Sequence, residues 1–170
     1  MIKIVDNFFS DEVLEKTQHK VVNGLIYAPL YFDNNAARDK QNYYGSRFFF
    51  KDDLSLCKLF WKTTEDKFKI KIKKINPGSG VDIRNLDHFK PHDDVAAGIA
   101  NVLIMIKGLK SINNGVVFYS DDQLDTHIGF RENRAVMFPS NLIHSPHLTV
   151  NPNMRYTASI FIEEYDELIQ

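Results

Sequence analysis

The sequence predicts a mainly β protein with N-terminal helices, a β-sandwich or jelly roll braced by two or more helices. Two observations support this fold class. Two segments with helical spacing of apolar residues lie before residue 67. Beyond that point the chain consists of short apolar segments separated by turn residues, with little to suggest another helix. About eight short strands behind two helices are typical of a layered β fold.

Length and composition limit the number of domains and the classes of partner that we expect. A chain of 170 residues with 44% hydrophobic and 25% charged residues is composed like a globular protein, and we expect one domain over residues 1–170. The net charge of −1 argues against nucleic acid or an anionic membrane as partner. The lone Cys57 excludes an internal disulfide framework and favours a reducing cytoplasm. We expect no signal peptide, because the N-terminus turns polar too soon, and no membrane span, because no apolar run approaches roughly 20 residues.

Two helices are predicted near the N-terminus. The first follows a short apolar strand within residues 1–9 and begins after Ser10, a good N-cap, with Asp11 and Glu12 in its first turn. The second covers residues 53–65. The apolar stripe of the first helix is Val13, Leu14, Val21 and Val22. The apolar cluster of the second is Leu54, Leu56, Cys57, Phe60 and Trp61.

Between the helices, residues 33–45 show no sustained periodicity and are predicted to form a long loop that ends with Tyr43 and Tyr44. Loops of this length in a compact domain are usually functional or disordered. We expect this loop to border the mouth of a site and to cover it when substrate binds. An ordinary surface loop is the alternative interpretation.

Strands are predicted from residue 67 onward. Phe68, Ile70 and Ile72 alternate with lysines, the period of two that marks a strand with one solvent-exposed face. Such a lysine row could contact phosphates, but it also keeps a strand edge soluble, and we favour the second interpretation. Further strands are predicted over residues 101–107, 115–119, 124–130, 134–138 and 155–162.

One short pattern indicates a metal site. His92 and Asp94 are separated by one residue, so in an extended segment their side chains share a face while Asp93 points the other way. A second imidazole would complete the two-histidine, one-carboxylate arrangement that leaves positions open on a ferrous ion. His144 and His147 are the candidates, and their odd separation allows only one to reach the metal. We choose His144, which follows an apolar strand and turn, and expect His147 at the surface or on the rim of the site.

Arg155 and Thr157 share one face of the last predicted strand. A guanidinium grips a carboxylate with two hydrogen bonds and stays charged when buried. This pair is therefore predicted to hold a carboxylate of a bound ligand.

The five residues predicted above as metal and carboxylate binders match the H-x-D … H … R-x-S/T pattern of the iron(II)/2-oxoglutarate-dependent oxygenases. The chain resembles that family, and in particular its prolyl 4-hydroxylase-like branch. Residues 4–10, 89–94 and 133–140 resemble the family as well. The resemblance implies a double-stranded β-helix (jelly roll), with iron(II) held by His92, Asp94 and His144. It also implies that Arg155, with Thr157, anchors the distal carboxylate of 2-oxoglutarate.

The resemblance further implies an enzyme, a 2-oxoglutarate-dependent dioxygenase that uses dioxygen to hydroxylate a substrate C–H bond, with ascorbate as a stimulant. A peptidyl proline is the leading substrate by analogy, and a small molecule is the alternative. Residues 81–86 lack the tyrosine that touches the cosubstrate in many members, and Asn101 stands where a threonine often contacts 2-oxoglutarate. Asn101 is therefore expected at the cosubstrate site. The competing hypothesis is a non-catalytic jelly-roll module that binds metal or ligand.

Three other histidines are not assigned to the metal. Pro91 lies between His88 and His92 and would disrupt a helical zinc pair, so we expect His88 to be partly exposed. His19 is expected on the polar face of the first helix. His127 is expected at the surface or in the core, with the border of the cavity as the alternative.

Overall fold

A computed structural model describes residues 1–31, 43–84, 91–110, 114–121, 123–147 and 155–168 of the chain. Two α-helices, α1 (Asp11–Asn23) and α2 (Leu54–Phe68), and a 3-10 turn (Phe50–Asp52) lie among eleven strands in this part of the chain. The first six strands are β1 (Lys3–Val5), β2 (Ala28–Tyr31), β3 (Tyr43–Phe49), β4 (Ile70–Ile75), β5 (Gly80–Arg84) and β6 (Ala100–Lys107). The others are β7 (Gly115–Ser120), β8 (Gln123–Gly129), β9 (Arg134–Pro139), β10 (His144–His147) and β11 (Arg155–Glu167).

Two antiparallel sheets form the body of the fold. The major sheet has the order β1-β9-β6-β11-β5-β3-β2, with β4 paired to the far end of β11. The minor sheet has the order β10-β7-β8. Apolar side chains of both sheets pack between them, including Met105 and Phe138 of the major sheet and Phe118 of the minor sheet. The predicted mainly β fold with N-terminal helices is therefore confirmed.

The two helices cover the outer face of the major sheet, and each begins at a side-chain cap. Ser10 Oγ accepts a hydrogen bond from the Val13 amide at the start of α1, as predicted. Asp53 Oδ1 accepts one from the Leu56 amide at the start of α2. The other Asp53 oxygen lies 2.5 Å from Nζ of Lys20, so this residue also joins the two helices.

The structure corrects the predicted burial and limits of the helices. Helix α2 extends to Phe68 and ends at Lys69, whose left-handed backbone (φ 55°) stops the helix, so β4 begins at Ile70 rather than near residue 67. Leu54 is 76% exposed because it lies in the first turn, on the side away from the sheet. Val22 is also exposed, whereas Thr17 is buried in the helix interface.

The predicted loop over residues 33–45 is wrong at its C-terminal end. Tyr43 begins strand β3, which pairs with β2 on one side and β5 on the other. Aromatic residues favour strands even in a segment whose apolar residues do not alternate. Here the pairing with β2 and β5 holds residues 43–49 in an extended conformation. Residues 33–42 lie outside the described part of the chain, and so does the predicted covering of the site by this segment.

The lysines of β4 are paired with carboxylates. Lys73 contacts Asp166 at 2.8 Å and Glu164 at 3.5 Å, both on the adjacent strand β11. Lys71 contacts Glu65 of α2 at 3.2 Å. The alternating exposure of β4 matches the prediction, and the cations face neighbouring acids. Among the described helices, none is long and apolar enough to cross a membrane.

Candidate metal centre

The two predicted histidine ligands are neighbours through the backbone. His92 and His144 form an isolated antiparallel bridge, in which each amide donates to the other's carbonyl, at 3.0 and 2.8 Å. His92 thus lies beside β10 and adds a one-residue bridge to the edge of the minor sheet. Because paired residues of antiparallel strands project side by side, the two rings lie 4.5 Å apart between centroids.

Asp94 completes a cluster of three ligand groups. Its amide donates to the Ser140 carbonyl at 2.8 Å, which fixes the backbone two residues beyond His92. One carboxylate oxygen lies 3.7 Å from Nε2 of His92, and the other lies 3.3 Å from Nε2 of His144. Ligand atoms of all three residues lie within 4.8 Å of one another. Asp93 points to solvent, as strand parity predicted.

The chemistry of these donors fits a divalent cation. Nδ1 of His144 lies 2.9 Å from the Leu142 carbonyl, which only accepts, so this nitrogen carries the hydrogen. In the neutral ring the lone pair of Nε2 then faces the Asp94 carboxylate, which also only accepts. A cation between the two acceptors would satisfy both, and a carbonyl that holds the remote nitrogen is the usual support of a metal-bound imidazole.

The electrostatics of the cluster keep Asp94 ionised. Burial works to raise the pKa of this carboxyl, whose side chain is 12% exposed. The neighbouring imidazoles of His144 and His92, together with the hydrogen bond from Asn101, outweigh burial and hold the pKa below its ordinary value. An anionic carboxylate is the form that binds a metal.

The cluster opens into a cavity of about 190 Å³ between the sheets, and the same cavity is lined by Arg155 and Thr157. Both residues are buried, at 4% and 2% exposure. Nη1 of Arg155 donates to the Gly115 carbonyl at 2.6 Å and to Oδ1 of Asn114 at 3.1 Å. Gly115 also permits the close pairing of β7 with β8, because at its φ of 144° a Cβ atom would lie 2.1 Å from the Ile128 carbonyl oxygen. These contacts fix the guanidinium at the cavity wall.

Asn101 also lines the cavity, but its observed partner is a candidate metal ligand. Its side-chain nitrogen donates to Oδ2 of Asp94 at 2.7 Å. The sequence placed Asn101 at the cosubstrate and gave no indication of the contact with Asp94. The two residues meet because β6 begins at Ala100, directly after the turn that follows Asp94.

A second polar pair in the cavity was not found from the sequence. Arg47 on β3 and Asp82 on β5 lie directly opposite each other and form two hydrogen bonds, at 2.6 and 2.8 Å. Asp82 is in turn opposite Thr157 on β11. All three side chains line the cavity. Only the strand register brings these residues together, and no local motif indicates it.

The other histidines lie away from the three ligand groups. The ring of His147 lies 5.0 Å from that of His127, on the far side of β10 from the cluster. His147 is half-buried, and both His127 and His19 are exposed. His88 falls outside the described residues.

Comparisons with known proteins were made by sequence and by structure. No protein-family model matches the sequence, and no curated protein matches it either. The likeness to known proteins therefore rests on solved structures.

Three solved structures illustrate that likeness. An oxidoreductase of the 2OG-Fe(II) oxygenase family from Burkholderia pseudomallei has a TM-score of 0.65 and 13% identity, covering 97% of this chain and 84% of the other. A prolyl hydroxylase from Trichoplax adhaerens, in complex with a hypoxia inducible factor peptide, has a TM-score of 0.63 and 13% identity over 95% and 83%. EctD from S. alaskensis with bound Fe has a TM-score of 0.61 and 11% identity over 98% and 72%. The chain thus has the jelly-roll fold of the 2-oxoglutarate-dependent oxygenases.

Proposed function

We propose that this protein is an iron(II)- and 2-oxoglutarate-dependent oxygenase that hydroxylates a substrate C–H bond. One observation carries the proposal: two imidazoles, a carboxylate and a buried guanidinium face one cavity. When bound, the iron and 2-oxoglutarate supply the oxidising chemistry, in which dioxygen gives one oxygen atom to the substrate and one to the succinate formed with carbon dioxide.

His92, Asp94 and His144 would hold the iron. Three protein ligands on one side of a ferrous ion leave adjacent positions for other ligands, which is the arrangement of non-haem oxygenases. The hydrogen bond from His144 to the Leu142 carbonyl keeps that ring in the tautomer with Nε2 available. Buried apolar side chains also line the cavity, including Phe138 and Val116, and they limit the access of bulk water to the cluster.

Arg155 and Thr157 would hold the distal carboxylate of 2-oxoglutarate. The guanidinium supplies a charge-assisted hydrogen bond, and the threonine hydroxyl a weaker neutral one. Charge balance supports a dianionic ligand. Among the described residues of the cavity wall, Arg47 and Arg155 offset Asp82 and Asp94, so a bound divalent cation leaves two positive charges that a dianion neutralises.

For the substrate we propose a peptidyl proline. The support is that one structural neighbour is described as a prolyl hydroxylase in complex with a peptide. A small molecule is the second possibility, because substrate choice in a shared fold depends on loops rather than on the sheets.

The test is succinate release from 2-oxoglutarate by purified protein with iron(II) and ascorbate, with and without a panel of proline-containing peptides analysed by mass spectrometry. We expect turnover that rises with the right substrate, and a product that is heavier than the substrate peptide by one oxygen atom. Arg155→Met should raise the 2-oxoglutarate concentration needed for half-maximal turnover at least about tenfold, because a charge-assisted hydrogen bond is lost. Metal binding should persist in this variant. Metal and 2-oxoglutarate binding without any succinate release over a broad panel would instead favour the non-catalytic module.

A further inference from the structure

Asn101 makes a contact that identifies a role in the metal centre distinct from that of Arg155. Its side chain points from β6 into the cavity and is 4% exposed. The bond from its nitrogen to Oδ2 of Asp94 is 2.7 Å long, short for an amide donor, as expected when the acceptor is charged. A side chain this buried has little freedom to find another partner.

The orientation of the amide follows from the chemistry of its neighbour. An ionised carboxylate only accepts, so the nitrogen of Asn101 must face Asp94 and the oxygen must face elsewhere. That oxygen, Oδ1, is buried and has no hydrogen-bond partner within the described part of the chain. As an acceptor, this oxygen suits a donor group.

2-Oxoglutarate is a poor match for that acceptor. Both of its carboxylates and its keto group only accept hydrogen bonds at neutral pH, so each of its oxygens would repel Oδ1 of Asn101. A threonine hydroxyl can turn its hydrogen toward such a ligand, but the carbonyl end of an amide has none to offer. With one hydrogen of the amide nitrogen held by Asp94, a cosubstrate contact of Asn101 would be limited to the second hydrogen of that nitrogen.

The carboxylate that Asn101 contacts needs an external restraint. The terminal torsion of an aspartate is broad, so the carboxylate can rotate and exchange its two oxygens. With Oδ2 held by Asn101, Oδ1 is the oxygen on the side of His92, at 3.7 Å from its Nε2. The bond thus selects one orientation of Asp94 out of several.

We propose that Asn101 is a positioning residue of the metal centre: it fixes the Asp94 carboxylate through its amide nitrogen and does not anchor 2-oxoglutarate. The inference rests on the proposed function, because it assumes that His92, Asp94 and His144 bind a metal. Its consequence is a separation of two binding steps, with Asn101 acting on the metal and Arg155 on the cosubstrate.

The experiment measures Mn(II) affinity of the whole apo-protein by calorimetry, and then 2-oxoglutarate affinity at saturating Mn(II). Asn101→Leu removes the donor at similar volume. We expect Mn(II) affinity to fall by about 10 to 100-fold, the usual cost of losing an outer hydrogen bond to a ligand, with 2-oxoglutarate affinity changed less than about twofold. The electronic spectrum of the Co(II)-loaded protein should also change, which a loss of general stability would not cause.

Ser140→Ala is the matched control. The hydroxyl of Ser140 is buried and has no partner among the described residues, while the Ser140 carbonyl that accepts from the Asp94 amide is retained in the variant. Mn(II) affinity of this variant should equal that of the wild type. If Asn101→Leu does not fold, Asn101→Ser carries the same test, because serine is too short to reach Asp94.

The outcomes separate this inference from the proposed function. A wild-type protein that binds no Mn(II) would refute the proposed metal centre itself. If Asn101→Leu binds Mn(II) as tightly as the wild type does, only the positioning role of Asn101 is refuted. A variant that keeps its Mn(II) affinity but loses 2-oxoglutarate affinity would show that Asn101 contacts the cosubstrate, as the sequence first suggested.

Discussion

Strand β11 has two faces that are equally buried and chemically opposite. Toward the helices it presents Tyr156, Ala158, Ile160 and Ile162, which belong to the main hydrophobic core. Toward the minor sheet it presents Arg155, Thr157, Ser159 and Phe161, which line the cavity. All eight residues are buried. Burial alone therefore does not separate core from site in this fold, whereas polarity on the buried face does.

The comparison has a physical basis in the pleat of the strand. Alternate residues of one strand point to opposite sides, so a single segment can build a core and a cavity at the same time. The neighbouring strand β6 repeats the arrangement, with Val102 and Ile104 in the core and Asn101 at the cavity. Changes on the core face should then alter stability, and changes on the cavity face should alter binding.

The largest effect is expected at the metal cluster. His144→Ala should reduce succinate release to background, because two ligands hold a ferrous ion weakly. His147→Ala is the matched control on the same strand, since this ring lies against His127 and not in the cluster. Turnover is followed by succinate release, and thermal unfolding checks that both variants fold. Equal turnover in the two variants would contradict the assignment of His144.

A second effect is expected at the ion pair of Arg47 and Asp82 on the cavity face. Arg47→Met leaves the carboxylate of Asp82, which is 2% exposed, without its bidentate partner on the cavity face. Removal of one partner from a buried ion pair typically costs about 3–5 kcal/mol, so this cavity residue should destabilise like a core residue. Urea-induced unfolding measures the loss.

The double variant Arg47→Met/Asp82→Leu provides the control for that prediction. Because the double variant no longer contains the buried carboxylate, most of the lost free energy of unfolding should return. If the double variant is as unstable as Arg47→Met, the destabilisation comes from packing rather than from the buried charge.

Two adjacent residues of β11 should respond differently when they are truncated. Ile160→Ala should lower the free energy of unfolding by about 3 kcal/mol, because the side chain is 1% exposed in the main core. Ser159→Ala, one residue away on the cavity face, should cost less than about 1 kcal/mol. Both are measured by urea-induced unfolding without metal. Similar losses in the two variants would mean that the faces do not differ in their role.

The sequence was informative where a feature depends on neighbouring residues. Ser10 as a cap, the alternation in β4 and the shared face of His92 and Asp94 are all local and were predicted. The C-terminal end of α2 was missed because Lys69 stops the helix in a left-handed conformation that lysine rarely adopts, and no glycine marks it.

Features that depend on strand register could not be predicted. Arg47 and Asp82 are 35 residues apart and meet only because β3 pairs with β5 in one register. Strand β3 itself was missed because both of its neighbours in the sheet are distant in sequence or beyond a segment without periodicity. Asn101 was placed near the site by family resemblance, but its partner depends on how β6 begins beside Asp94. The register of a sheet is set by tertiary packing, which one sequence does not reveal.

The smallest effect concerns the helices over the core face, at Asp53. The ammonium of Lys20 and the Leu56 amide lower the pKa of Asp53 from 3.8 to about 2. A group with a depressed folded-state pKa contributes its full stability above its unfolded-state pKa and loses it as the pH falls through the folded-state value. Asp53→Ala should therefore cost about 1–2 kcal/mol at pH 7, a range that allows for solvent screening of the exposed Lys20.

The pH dependence of that cost distinguishes the ion pair from the helix cap. The gap between wild type and Asp53→Ala should be constant above about pH 5 and should shrink between about pH 4 and pH 2, as the wild type loses the ionised form. Asp53→Asn keeps a good cap without the charge, so its stability should not vary with pH through this group. Urea-induced unfolding at pH 7, 5, 4 and 3 measures all three proteins, and Mn(II) affinity at pH 7 should be the same in each. A gap that stays constant down to pH 3 would show that the cap alone stabilises α2, and a change in Mn(II) affinity would show that the helix face and the cavity face of the major sheet are coupled.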